Sequence, residues 1–189
     1  TNSYHKITEE QLKKARFPKA YFSPKGKMFY INEAPTSINL KKGVIIGIKK
    51  TCKRMLDNPV RFFGVKGIYF YSRRILVYEK KYGKEAALKN LKWYITLAET
   101  AGTGGAGYRY LYSSFLKEAA ELLNDEKLLE CSAFMREIGD KWQLFSVESL
   151  RMCEGRKKLN MNALSEIVYN IAQMEEKVFK ELRIWVKKQ

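Results

Sequence analysis

Two long stretches in the second half of the chain repeat apolar residues every three or four positions. Within residues 126–152 the repeating positions are Leu128, Cys131, Met135, Ile138, Trp142, Phe145 and Met152, with Ser149 as a polar exception. Within residues 161–187 they are Met161, Leu164, Val168, Ile171, Val178, Leu182 and Trp185. This spacing places side chains on one face of an α-helix. Because its mean is close to 3.5 residues, we predict two long helices that pack antiparallel at a shallow angle.

Shorter helices are predicted upstream, and each ends at a residue that helices rarely pass. They cover about 38–57, 66–82, 84–101 and 107–123, and Asn58-Pro59 and Gly83 end the first two. A short helix follows the capping-box pattern that starts at Thr8, and residues 27–31 could form a single strand. We therefore expect a mostly α fold, in which a bundle of five to six helices (37–189) follows a basic, partly extended arm (1–36).

The positive charge of this chain is concentrated in its first half. The whole sequence has 36 Lys+Arg and 20 Asp+Glu, which gives a net charge of +16. Residues 1–100 contain 22 basic and 7 acidic side chains, whereas residues 101–189 contain 14 and 13. Such asymmetry suggests an acidic partner. The partner could be nucleic acid, an acidic carrier protein, a membrane surface or an acidic domain outside this chain.

Residues able to carry out catalysis or bind metal are few. His5 is the single histidine, and the three cysteines are far apart in sequence. We therefore predict no catalytic residue, no metal site and no cofactor within this chain. The separated cysteines suggest a reducing compartment, so a cytoplasmic location is expected. No apolar run approaches the roughly 20 residues that cross a membrane.

A glycine-rich segment separates the predicted helices 84–101 and 107–123. It contains the candidate anion- or substrate-binding residues Gly102, Thr103, Gly104, Gly105, Tyr108 and Arg109. Backbone N–H groups at a helix start can bind phosphate, and the Arg109 guanidinium would add a forked donor. The alternative is a tight turn between helices, with Arg109 paired to an acidic residue. The following helix is expected to bury Tyr108, Leu111, Tyr112, Phe115, Ala119 and Leu122.

Residues 102–123 resemble a known family. A Gly-Thr-Gly-Gly run from Gly102 precedes the pair Tyr108-Arg109, then Tyr112 and the motif Phe-Leu-Lys-Glu-Ala over 115–119. This pattern resembles the C-terminal domain of proteins similar to butirosin-biosynthesis protein H. Trp142 also fits the family's pattern, and a looser resemblance extends from about residue 7 to the end of the chain.

The resemblance implies a parent protein of two parts, with a papain-like N-terminal domain that carries a cysteine nucleophile. A relative of this kind moves an acyl group from an acyl carrier protein to an aminoglycoside amine. The chain begins at Thr1 without a methionine, so we expect it to be a piece of such a parent. It would be an accessory domain of a cysteine-dependent acyltransferase-like or amidase-like protein, helping to form the acceptor or carrier site. Its partners would be the N-terminal domain and an acidic carrier. A non-catalytic basic module that binds nucleic acid is the alternative, although no recognised nucleic-acid-binding motif is present.

Overall fold

The computed structural model describes residues 6–19, 25–33, 37–100 and 103–189. These residues form seven α-helices, which are α1 (Glu9–Arg16), α2 (Leu40–Leu56), α3 (Gly64–Tyr82), α4 (Lys84–Ile95), α5 (Arg109–Leu123), α6 (Glu126–Cys153) and α7 (Met161–Val186). The predicted mostly helical bundle with a short N-terminal arm is confirmed. The chain divides at Asn39 into two compact units, of which the second contains α2 to α7.

The first unit contains α1 and an irregular segment. The Oγ1 of Thr8 accepts a hydrogen bond from the N–H of Gln11, and the Gln11 side chain accepts one from the N–H of Thr8. This reciprocal capping box is the one predicted from the sequence. The possible strand at residues 27–31 does not form. A strand needs a partner for its backbone groups, and the described residues provide none.

Helices α6 and α7 form the centre of the second unit. Every apolar position of their predicted repeats is buried, which confirms both inward faces. They run antiparallel, because Asp125 at the start of α6 accepts a hydrogen bond from Trp185 at the end of α7, 2.7 Å away. Trp142 and Glu175 meet nearer the middle of the two helices. Around this pair, α2 and α3 pack on α7, while α4 and α5 pack on α6.

Helix α5 buries only part of the face that was predicted. Ala119 is buried, and Tyr112, Phe115 and Leu122 pack against the core, as expected. Tyr108 and Leu111 are each 56% exposed, whereas Ser113, Leu116, Ala119 and Ala120 are buried. The Oγ atoms of Ser113 and Ser132 each donate to the other residue's carbonyl over 2.8 Å. These two bonds bring the backbones of α5 and α6 close together, so small side chains fill the contact. The helix also begins at Arg109 rather than near Gly107, which places Tyr108 outside it.

Candidate functional site

The glycine-rich segment joins α4 to α5 through an unusual backbone path. After Ile95 the helix widens into a π-helical turn, Thr96–Thr100, so the regular part of α4 ends earlier than predicted. Residues 104–108 all have positive φ, from 48° at Ala106 to 86° at Gly105. Glycine adopts such angles readily, whereas Ala106 and Tyr108 each cost roughly 1–2 kcal/mol there. Gly102, one of the candidate site residues, lies outside the described residues.

The carboxylate of Glu99 lies against this segment. Its Oε2 accepts a hydrogen bond from the N–H of Ala106 at 3.3 Å, and its Oε1 accepts one from the Ser146 hydroxyl at 2.8 Å. Thr103 is buried, and its hydroxyl donates to the carbonyl of Ala98 at 2.5 Å. A backbone donor of the segment therefore already binds an anion, and that anion belongs to the protein itself.

Arg109 also pairs with an internal carboxylate. Its Nε and Nη2 lie 2.9 and 2.8 Å from Oε1 of Glu175, a side chain with no exposed surface. Its Nη1 donates to the carbonyl of Gly107 at 2.8 Å. Trp142 Nε1–H donates to the same Glu175 oxygen at 2.8 Å, and the Arg109 guanidinium lies 5.2 Å from the Trp142 ring centroid. The forked donor of Arg109 is thus occupied by Glu175 in this conformation.

Three aromatic rings extend this charged pair into the bundle. Tyr94 stacks on Trp142 on one side and on Tyr71 on the other, with ring centroids 5.5 and 5.1 Å apart. Burial raises the pKa of Tyr94 well above its usual value, and Arg109 offsets part of this effect. We call Tyr71, Tyr94 and Trp142 the aromatic column. With Arg109 and Glu175, the aromatic column forms a set of five residues, one from each of the helices α3, α4, α5, α6 and α7.

The candidate residues from Thr103 to Arg109 therefore meet at the junction between α4 and α5. Thr103 is buried, Arg109 is tied to Glu175, and Tyr108 extends into solvent. Sequence reasoning missed Glu99 and Glu175, the two carboxylates that organise the junction. A signal for Glu175 was present, because it occupies the apolar position between Ile171 and Val178 in the repeat of α7. A carboxylate on such a face requires a partner.

A family model described as Domain of unknown function (DUF4872) matches residues 10–182 of the chain. The chain belongs to this family. No curated protein and no solved structure matches it. The glycine segment, Arg109, Trp142 and Glu175 all lie within the matched part of this DUF4872 domain.

A second candidate site of the DUF4872 domain consists of the basic side chains on α2, α3, α4 and their connections, nearly all of which are exposed. Residues 37–100 contain fifteen Lys and Arg side chains but only four Asp and Glu. Within the part of the chain that the structure describes, none of these fifteen forms an ion pair with a carboxylate. We call these fifteen side chains the basic surface. By contrast, α5 to α7 carry ion pairs such as Lys127–Glu181 and Lys180–Glu176.

The cysteines of the DUF4872 domain are poorly suited to nucleophilic chemistry at neutral pH. Burial raises the pKa of Cys52 and of Cys131 to about 11, and it also raises the pKa of Cys153. The thiolate is the reactive form, so these thiols remain largely protonated.

Across 6–19, 25–33, 37–100 and 103–189, no group of three His, Cys, Asp or Glu side chains is placed to hold a metal ion. None of the helices there has the length and apolar character that a membrane span requires.

Proposed function

We propose that this DUF4872 domain is an accessory domain that binds an acidic partner protein through its basic surface. The parent would be the cysteine-dependent acyltransferase-like or amidase-like protein that the sequence resemblance implies, working in the cytoplasm. The partner would be the acidic acyl carrier protein of that reaction. The catalytic cysteine would belong to the papain-like domain of the parent.

One observation carries this proposal, namely that the cations of residues 37–100 have no carboxylate partner among the described residues. Burying or crowding like charges destabilises a folded protein, so fifteen unpaired cations suggest an interaction with an external anion. The junction between α4 and α5 offers less to such a ligand, because Glu99 already accepts from the N–H of Ala106 and Glu175 already pairs with Arg109. In this proposal the glycine segment and Arg109 hold the helices in place.

A titration of the 189-residue chain with a fluorescently labelled, phosphopantetheine-bearing acyl carrier protein tests the proposal. We expect binding at about 50 mM salt that weakens severalfold at about 300 mM, because screening shortens the range of the attraction. Replacing exposed Lys49 and Lys53 by glutamine should weaken binding further. A matched control is the pair Lys117→Gln and Lys141→Gln on α5 and α6, which removes the same charge elsewhere.

The control pair should change the dissociation constant less than the α2 pair does. Equal effects would show that net charge alone matters, and the basic surface would lose its role. Absence of carrier binding at low salt would contradict the proposed function itself.

Nucleic acid is the second candidate partner. Trp93 is 63% exposed and lines a groove with Lys89 and Lys92. An exposed indole beside cations can stack on an unpaired base. The same titration with single-stranded and double-stranded DNA of about 20 nucleotides separates the two candidates. Tighter binding to DNA than to the carrier, lost in Trp93→Ala, would favour the nucleic-acid role.

A further inference from the structure

The loop between α2 and α3 packs directly against the first turn of α3. A Cβ atom at Gly67 would lie 2.4 Å from the carbonyl oxygen of Phe62, and one at Gly64 would lie 2.4 Å from that of Met55. Gly64 also has a φ of +61°. Both glycines are therefore required for this close approach. Inside the loop, the N–H of Val60 donates to the Asn58 side chain at 3.0 Å. The loop is thus packed closely against α3 and the end of α2.

This loop places an arginine over two aromatic rings. The Arg61 guanidinium carbon lies 5.0 Å from the centroid of Phe62 and 5.2 Å from that of Phe70. Arg74 approaches the Phe70 ring from α3 at 5.9 Å. The two rings themselves pack edge to face, with centroids 4.8 Å apart. We call these four residues the arginine–phenylalanine cluster.

The cluster has the composition of an energetic centre in a protein interface. Arginine is enriched at such centres, and phenylalanine and arginine are both enriched in interfaces as a whole. Side chains held in place before binding also lose less entropy when they bind. The cluster borders a groove of about 510 Å³, to which Lys66 and Arg73 add two more cations. Phe62 is 55% exposed, so the cluster is accessible from solvent. None of its cations forms an ion pair among the described residues.

We infer that the arginine–phenylalanine cluster is the anchor where the acidic partner binds, and that it takes Asp and Glu carboxylates from a helix or loop of that partner. This inference rests on the proposed function and gives it a location. A guanidinium that stacks on a ring leaves its N–H edge for a forked bond to a carboxylate. A nucleobase is a poorer match, since guanidinium groups already lie over the ring faces of Phe62 and Phe70.

The decisive comparison is between Arg61→Lys and the wild-type chain in the carrier titration. Lysine keeps the charge but cannot reproduce the planar fork or the stacking. We expect the dissociation constant to rise about tenfold, as for the loss of a hydrogen bond to a charged group. The double variant Arg61→Gln with Arg74→Gln should bind the carrier more weakly still. Its matched control is Lys89→Gln with Lys92→Gln on α4, for which we expect about a twofold effect.

A melting curve for every variant shows whether the fold is intact. Phe62→Leu tests whether carrier binding needs the aromatic ring at this exposed position. Two results would place the anchor elsewhere on the basic surface. One is that Arg61→Lys binds the carrier as tightly as the wild type does. The other is that the α4 control binds the carrier as weakly as the double arginine variant does. In that case the proposed function stands and this inference falls. If the carrier does not bind, a poly-glutamate peptide of about 20 residues replaces it as the probe.

Arg61-dependent binding of the poly-glutamate peptide would support the carboxylate anchor even where the carrier fails. Binding of neither probe would overturn both proposals. Tighter binding of a DNA oligonucleotide, lost in Arg61→Lys, would overturn the assignment to carboxylates and would place nucleic acid at this cluster.

Discussion

Glu175 is the residue on which the interior of the bundle depends most. It has no exposed surface, and its Oε1 accepts from Arg109 and from Trp142. Its Oε2 has no hydrogen-bond partner among the described residues. A buried carboxylate is tolerated only when a cation or several donors compensate its lost hydration. Arg109 therefore stabilises the fold chiefly by neutralising a charge that the core already contains.

Removing Arg109 should be much more damaging than removing an exposed cation. We expect Arg109→Met to lower the free energy of unfolding by about 3–5 kcal/mol, because it leaves Glu175 buried and unpaired. Adding Glu175→Gln should recover at least half of that loss, since the amide keeps an acceptor for Trp142. Urea denaturation at pH 7 measures both effects. Lys180→Met is the control, because its ion pair with Glu176 is worth no more than about 1 kcal/mol. Equal losses in Arg109→Met and Lys180→Met would refute the structural role of the pair.

At the scale of elements, the helix ends show how local chemistry and packing combine. The Asp125 side chain caps the start of α6 by accepting from the N–H of Leu128 at 3.0 Å, and it also receives the indole N–H of Trp185. Gly64 begins α3 with a left-handed backbone that brings the chain against the end of α2. These short segments decide which helix faces meet.

Two glycine substitutions separate a required glycine from a tolerated one. Gly64→Ala should lower the free energy of unfolding by about 1–2 kcal/mol from its backbone angle alone, and more from the contact with Met55. Gly43→Ala should raise it by about 0.5–1 kcal/mol, because that position is helical and a Cβ there meets nothing within 4 Å. Thermal melts of both variants give the comparison. An unchanged melting temperature in Gly64→Ala would show that the α2–α3 loop can move away without a cost in stability.

For the molecule as a whole, tyrosines and cysteines with raised pKa values make the fold sensitive to alkaline pH. Burial, followed by hydrogen bonds to Glu176 and Asp140 respectively, raises the pKa of Tyr69 and Tyr110 to about 12 from the ordinary value of 10.0. Burial raises the pKa of Cys52 and Cys131 to about 11 from 9.0. The unfolded chain therefore loses these protons at lower pH than the folded chain does. The resulting stability is complete below about pH 9 and is lost between about pH 9 and 12.

Melting temperatures measured from pH 7 to about pH 11.5 should fall steadily above pH 9. Tyr110→Phe removes one of the four groups, so its melting temperature should fall less steeply than that of the wild type over the same range. A flat profile up to pH 11 in the wild-type chain would contradict the raised pKa values of these side chains.

The sequence by itself determined the helices and the two central inward faces. Helix periodicity and capping depend on residues within about four positions of each other, so the repeats of α6 and α7 and the capping box at Thr8 were visible in the sequence. The charge asymmetry is also a property of the sequence, and it points to the surface on which the proposed function rests. The resemblance over residues 102–123 drew attention to Arg109, but it did not indicate what Arg109 contacts.

Only the tertiary structure decided which groups meet. Glu175 lies 66 positions from Arg109, and Ser146 lies 47 positions from Glu99. Such pairings depend on how whole helices pack, which no local pattern specifies. The same reason explains why Leu111 is exposed although it was expected to be buried, since the close contact with α6 at Ser113 and Ser132 sets which face of α5 meets the core. The contact of Arg61 with Phe62 and Phe70 likewise exists because two glycines let a loop lie on α3.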